Sequence, residues 1–141
     1  QDGNEYYRRF MRSCDAEVQK LRAFVQAETA RGRSVHVYGA STKGNCTLQY
    51  AGLGEALVPL AVERNPDKEG KMTATGIRIV MEEHMRLAPP DYLLVLPWHF
   101  RDEILVRERA FLEAGGKMLF PFPHFEVVGS DWRMRGGGGR R

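Results

Sequence analysis

The sequence predicts a three-layer α/β fold, a parallel sheet covered by helices on both faces and entered through a long N-terminal helix. Three observations predict it. Short runs of β-branched and aliphatic residues alternate with segments of helical periodicity along the chain, and glycines stand where one gives way to the next. One run, Tyr92-Leu93-Leu94-Val95-Leu96, is apolar without interruption, the pattern of a central strand buried on both faces.

From about Asn4 to Ala30, the residues Tyr7, Phe10, Met11, Val18, Leu21, Phe24 and Val25 recur at three- and four-residue steps among good helix formers, which predicts one long amphipathic helix. Arg31-Gly32-Arg33 ends it, because cations meet the negative pole of the helix and glycine accepts a left-handed cap. Val35–Tyr38 then predict a first strand, and Gly39–Asn45 a turn into a short helix running from near Thr47 to Gly52 or Gly54. Leu57–Val62 predict a second strand, Ile77–Val80 a third and Tyr92–Leu96 a fourth. Arg101 to Ala114 reads as another helix, stopped by Gly115-Gly116 before the strand Lys117–Phe120.

At 141 residues the chain has the size of one domain, able to bury a core without disulfides or metals. No apolar run approaches the ~20 residues that cross a bilayer, and Gln1 to Arg12 are polar where an export signal would be apolar, so a cytoplasmic protein is expected. Cys14 and Cys46 form no CxxC pair, and His36, His84, His99 and His124 are scattered, so neither a disulfide framework nor a metal site is expected. The formal charge of +3 owes four positives to Arg133, Arg135, Arg140 and Arg141; without them the rest of the chain stands at −1, which argues against a nucleic-acid surface. The domain is expected to span residues 1–128, and the Arg/Gly-rich stretch 129–141 to form a flexible tail.

In open α/β sheets ligands bind outside the carboxyl ends of the strands, so the residues that follow each strand are the candidates. After the first strand, Gly39-Ala40-Ser41-Thr42-Lys43-Gly44-Asn45 combines glycines for a tight turn, hydroxyl donors and a lysine beside a helix start, chemistry suited to a phosphate or diphosphate. It is neither a Walker loop nor a full GxGxxG fingerprint, and the glycines also suit plain close packing of strand and helix. After the second strand, Glu63 could bond a ligand hydroxyl and Arg64 a phosphate, or both could belong to a charged surface turn ending in Pro66-Asp67-Lys68. After the fourth, Trp98 and Phe100 offer aromatic faces for a base or sugar and His99 a hydrogen bond, or they cap the core. Pro121-Phe122-Pro123-His124 reads as the end of a sheet, and Cys46, Glu82 and Glu83 as helix surface or core.

These segments, in their order and spacing, together with Gln49-Tyr50-Ala51-Gly52-Leu53, Pro90-Asp91 and Gly115-Gly116-Lys117, resemble the C-terminal domain of S-adenosylmethionine-dependent C-methyltransferases acting on nucleotide-diphosphate sugars. The likeness runs from the opening helix to Val128. It implies the Rossmann-like part of a three-part enzyme, whose other parts bind zinc and the methyl donor. In that arrangement Ser41, Thr42, Lys43, Gly44 and Asn45 form the ligand-facing loop, and Glu63, Arg64, Trp98 and His99 stand around the same cleft. The implied partners are a nucleotide-diphosphate sugar and the two other domains, with no nucleic acid and no membrane. No cofactor is implied for these residues themselves, S-adenosylmethionine belonging to the parent enzyme. The zinc cysteines, the glycine-rich methyl-donor loop and the catalytic histidine segment of the family are absent here, so the resemblance implies no methyl transfer by this chain alone. Departures from the family are Cys46 in place of a threonine-like residue, Arg78 in place of a proline between two isoleucines, and the arginine-glycine ending.

Two other classes stay open on the sequence. One is a module that binds no ligand and instead docks on a catalytic domain, or self-associates through the opening helix. The other is a dinucleotide-dependent oxidoreductase, which needs a second ligand half-site and a catalytic set that the chain does not offer.

Overall fold

The computed structural model describes residues 3–39 and 42–133, with a single six-stranded sheet at their centre. Strands β1 (Val35–Tyr38), β2 (Leu60–Glu63), β3 (Arg78–Met81), β4 (Tyr92–Val95) and β5 (Lys117–Phe120) are parallel, and β6 (Glu126–Val128) returns antiparallel to β5. Their spatial order, β3-β2-β1-β4-β5-β6, is that of a Rossmann-like sheet, with the switch point between β1 and β4.

Alternate side chains of each strand enter two cores. Val35, Val37, Ala61, Ile79, Leu94 and Leu119 pack under α1 (Gly3–Ser13), α2 (Asp15–Ala30) and α3 (Thr42–Ala51). Tyr38, Val62, Val80, Leu93, Val95, Met118 and Phe120 pack under α4 (Glu82–Leu87), α5 (Arg101–Arg107) and α6 (Arg109–Glu113). Leu93, Leu94 and Val95 are fully buried, as their uninterrupted apolar run predicts. The fold is therefore the three-layer α/β fold expected.

The long opening helix is two helices. Ser13 Oγ donates to the Phe10 carbonyl at 2.6 Å, competing with the helical ladder, and Cys14 leaves helical geometry with ψ 26°. The bend lets α1 and α2 both lie against α3. The helix expected over 101–114 bends similarly at Glu108, whose side chain turns into the second core.

Other boundaries move by a turn or less. β2 runs 60–63 rather than 57–62, because Leu57 and Val58 donate to the Gly54 carbonyl in a turn. α3 begins at Thr42, earlier than expected, and so takes Gly44 and Asn45 into its first turns. At the opposite end of the sheet, Asp91 accepts from the Ser34 amide and its own amide donates to Ser34 Oγ, tying the starts of β1 and β4 together. Glu28 is buried there between the Tyr92 hydroxyl (2.8 Å) and Arg31 (3.0 Å). Within the stretch 129–133, Trp132 packs against the second core and the Arg133 carbonyl accepts from Arg101. The remaining tail arginines, Arg135, Arg140 and Arg141, lie outside the described residues.

Candidate functional site at the carboxyl ends of the strands

The end of β1 and the end of β4 meet closely. Leu96 N donates to the Tyr38 carbonyl at 3.1 Å, and Gly39, at φ +91°, presses so near Pro97 that an added Cβ would stand 2.8 Å from its Cδ. Gly44 plays the matching part in α3: a Cβ there would lie 2.5 Å from Leu96 Cδ1. Both glycines thus allow close packing against the segment that follows β4. That packing also draws the start of α3 over the end of β4.

Beside this contact lies a cleft of about 430 Å³ between Tyr7, Gly44 and Thr47 on one side and Trp98, His99 and Phe100 on the other. Its aromatic wall is built in layers. Trp98 stacks on Phe10 of α1 with centroids 5.9 Å apart and planes 5° apart, meets Phe122 edge-on at 5.6 Å, and carries His99 stacked at 3.8 Å. Trp98 is half-buried while His99 and Phe100 are exposed, so the wall is anchored in the core and presented to solvent. Phe122, from the segment read as a sheet terminus, is core.

The expected residues divide among different settings. Gly44, Trp98 and His99 border the cleft just described. Asn45 is half-buried next to Gly44, and its Oδ1 is shielded from solvent without a hydrogen-bond partner among the described residues. Ser41 lies outside the described residues, and of Thr42 and Lys43 only the backbone is described, as the first two residues of α3. Glu63 ends β2 as expected, but its carboxylate accepts from the Arg64 amide (2.9 Å) and the Asn65 amide (3.2 Å) and faces Lys68 at 3.8 Å. Arg64 ion-pairs with Glu82 at 3.4 Å and lines another cleft, of about 710 Å³, at the ends of β2 and β3 with Gly70, Arg78 and His84. Among the described residues, then, Trp98 and His99 share a cleft with the first turns of α3, and Arg64 opens on its neighbour.

Sequence reasoning missed a buried polar cluster beneath the end of β1. Glu108 is 1% exposed, gripped by Arg86 through bonds of 2.6 and 3.2 Å and by the Tyr38 hydroxyl at 2.7 Å. Burial alone would raise the carboxyl pKa, but hydrogen bonds from Arg86 and Tyr38 and the charges of both arginines outweigh it and hold it below the usual carboxylate range. Burial and the hydrogen bond to Glu108 push the Tyr38 phenol well above its ordinary value, so it stays protonated and donates. Tyr7 and Thr47 of the cleft were also missed. Their helical spacing is indistinguishable from that of core residues, and only the fold turns them to this surface.

Strand order and cleft position together define a doubly wound α/β domain with a cleft at the topological switch point. Residues 2–123 match the family model described as C-methyltransferase C-terminal domain. The chain belongs to that family. It is also 32% identical over 126 residues to C-methyltransferase NovU of Streptomyces niveus, a match that takes in 89% of this chain and 30% of the relative. The chain therefore spans about a third of the length of that curated relative. Among the described residues no helix is long and apolar enough to cross a membrane, and no group of three or more His, Cys, Asp or Glu gathers as for a metal ion.

Proposed function

We propose that this domain receives the nucleotide-diphosphate part of a sugar substrate and presents it to the methyl-donor domain of an S-adenosylmethionine-dependent C-methyltransferase. The observation that carries this reading is the convergence of Gly39 and the start of α3 with the segment 97–100 after β4 at the switch point, with a cleft between Gly44 and Thr47 of α3 and Trp98, His99 and Phe100. A diphosphate suits backbone amides at the turn, with Ser41, Thr42 and the Lys43 ammonium as donors. A base or sugar ring suits the face of Trp98 and the His99 imidazole. Family membership and the name of the relative support a place in a C-methyltransferase.

In such an enzyme a proton leaves the carbon next to a keto group, and the methyl group of the donor is transferred to that carbon. The contribution of this domain is positional: fixing the diphosphate fixes the sugar carbon relative to the donor, which converts an encounter into an oriented reaction. No step of the transfer is assigned to this chain.

Isothermal titration of the folded chain with a deoxythymidine-diphosphate sugar tests the reading. Binding is expected, weakened about tenfold or more by Lys43→Ala, as for a lost charge-assisted hydrogen bond. Absence of heat and of thermal stabilisation at millimolar ligand overturns it, and the domain is then left with docking on its partner domains.

A further inference from the structure

On the face covered by α4–α6, the carboxylate of Glu108 is satisfied without Arg107. Arg86 and the Tyr38 hydroxyl already supply it with three hydrogen bonds. Arg107 stands 3.8 Å from it and gives Nε and Nη2 to the Tyr38 oxygen instead, at 3.2 and 2.8 Å. Glu82 also acts on both arginines but is itself paired with Arg64, so three guanidinium groups face two carboxylates and a positive charge is left in excess. The Nη1 group of Arg107 has no hydrogen-bond partner among the described residues, and 40% of the side chain is exposed. A guanidinium held along one edge keeps its other edge as a two-pronged donor, the geometry that matches phosphate oxygens.

That side chain lines a groove of about 290 Å³ with Pro97, Phe100, Glu103 and Ile104. Pro97 and Phe100 also border the switch-point cleft, so groove and cleft adjoin around the end of β4. Tyr38 is the last residue of β1 and directly precedes Gly39, so one strand end carries both the turn and the arginine clamp. Glu103 shares the groove but forms no ion pair with Arg107 among the described residues.

We infer that Arg107 is a phosphate-binding residue, its free guanidinium edge receiving a phosphoryl group of the nucleotide diphosphate from the side of the crevice opposite the β1 turn, with Tyr38 as the positioning residue that aims it. This rests on the ligand reading given above. The clamp matters because an arginine already held in one rotamer loses less conformational freedom when the anion arrives. Arg86 does not line this groove, and its two hydrogen bonds to Glu108 occupy its Nη1–Nη2 edge.

The test uses the chain as it stands, with deoxythymidine diphosphate, inorganic pyrophosphate and thymidine as separate calorimetric probes, and circular dichroism to show that each variant is folded at the working temperature. Arg107→Gln is expected to weaken both diphosphates by about 10- to 100-fold, as for lost hydrogen bonds to a charged group, and thymidine not at all. Arg107→Lys should recover part of the loss. Tyr38→Phe keeps the charge but removes the clamp, and should weaken the diphosphates by a smaller factor while leaving the salt dependence of binding as in the wild type. In the wild type, the Arg107 Nε–H resonance should shift on titration with pyrophosphate. Diphosphate binding by Arg107→Gln within twofold of wild type, with Lys43→Ala impaired, overturns the inference and leaves the ligand reading standing. Loss in Arg107→Gln with Lys43→Ala unaffected sustains the inference and removes the β1 turn from the site. A wild-type chain that binds neither diphosphate overturns both.

Discussion

The Tyr38 hydroxyl donates to Glu108 Oε2 at 2.7 Å across a separation of 70 residues, joining the end of the central strand to the junction of α5 and α6. Arg86 of α4 closes the same carboxylate from the other side. Three elements of the second layer are thereby held to β1 by one buried charge.

Removing that charge should unfold the layer more readily than removing one of its donors. Glu108→Ala leaves Arg86 facing a void and is expected to cost about 3 kcal/mol, while Tyr38→Phe, which deletes one hydrogen bond, should cost about 1 kcal/mol. Urea denaturation followed by circular dichroism measures both. Equal effects would mean that the carboxylate is not the centre of the cluster.

The same carboxylate sets an acid limit. Its folded pKa lies below the unfolded value near 4.5, so its stabilisation is complete above that pH and disappears as pH falls through the lower folded value. Denaturation midpoints for the wild type should therefore drop below about pH 4.5 more steeply than those of Glu108→Gln, which has no such proton to bind.

His36 acts nearer neutrality. Burial, and then the charge of His84, lower its pKa from 6.5, and its Nδ1 is buried without a partner among the described residues. The unfolded chain takes up the proton first, so this contribution is full above about pH 6.5 and declines as pH falls toward the folded value. His36→Val should flatten the thermal-stability profile over that window and, by removing an unsatisfied polar atom, cost nothing at pH 8. A profile unchanged in slope would assign the dependence to other groups.

The contact between α3 and β4 has no spare space. Gly44→Ala would place Cβ 2.5 Å from Leu96 Cδ1 and 2.9 Å from its Cβ, so a destabilisation of about 1–3 kcal/mol is expected despite the better helix propensity of alanine. Pairing it with Leu96→Ala should recover part of that loss in a double-mutant cycle. Strict additivity would show that the steric contact is not the cause.

Trp98 joins α1 to the end of β4 through its stack on Phe10. Trp98→Ala should speed amide hydrogen exchange throughout α1 and lower stability by about 2–3 kcal/mol, the loss of a half-buried aromatic contact. Exchange unchanged in α1 would place the anchor of that helix elsewhere.

The site was legible where a single residue type betrays its environment. Gly39 and Gly44 stand out because only glycine leaves room for Pro97 and Leu96, although which residues crowd them could not be read from the chain. Trp98 and His99 stand out as aromatics after a buried strand. Arg86, Arg107 and Glu108 carried no signal, since charged residues in helices are usually solvated. Glu63 and Arg64 were placed at a strand end correctly, but their engagement with Asn65 and Glu82 depends on how the turn closes.

For the fold, strand and helix periodicity is a relation between near neighbours, so the sequence by itself determined β1, β3, β4 and β5, the α/β alternation and the burial of Leu93, Leu94 and Val95. The strand order, the bends at Cys14 and Glu108, and the three-residue β6 were decided only in three dimensions. β6 is strand because β5 offers it a free edge, and Glu108 turns inward because Tyr38 and Arg86 wait there, partners that no local spacing specifies.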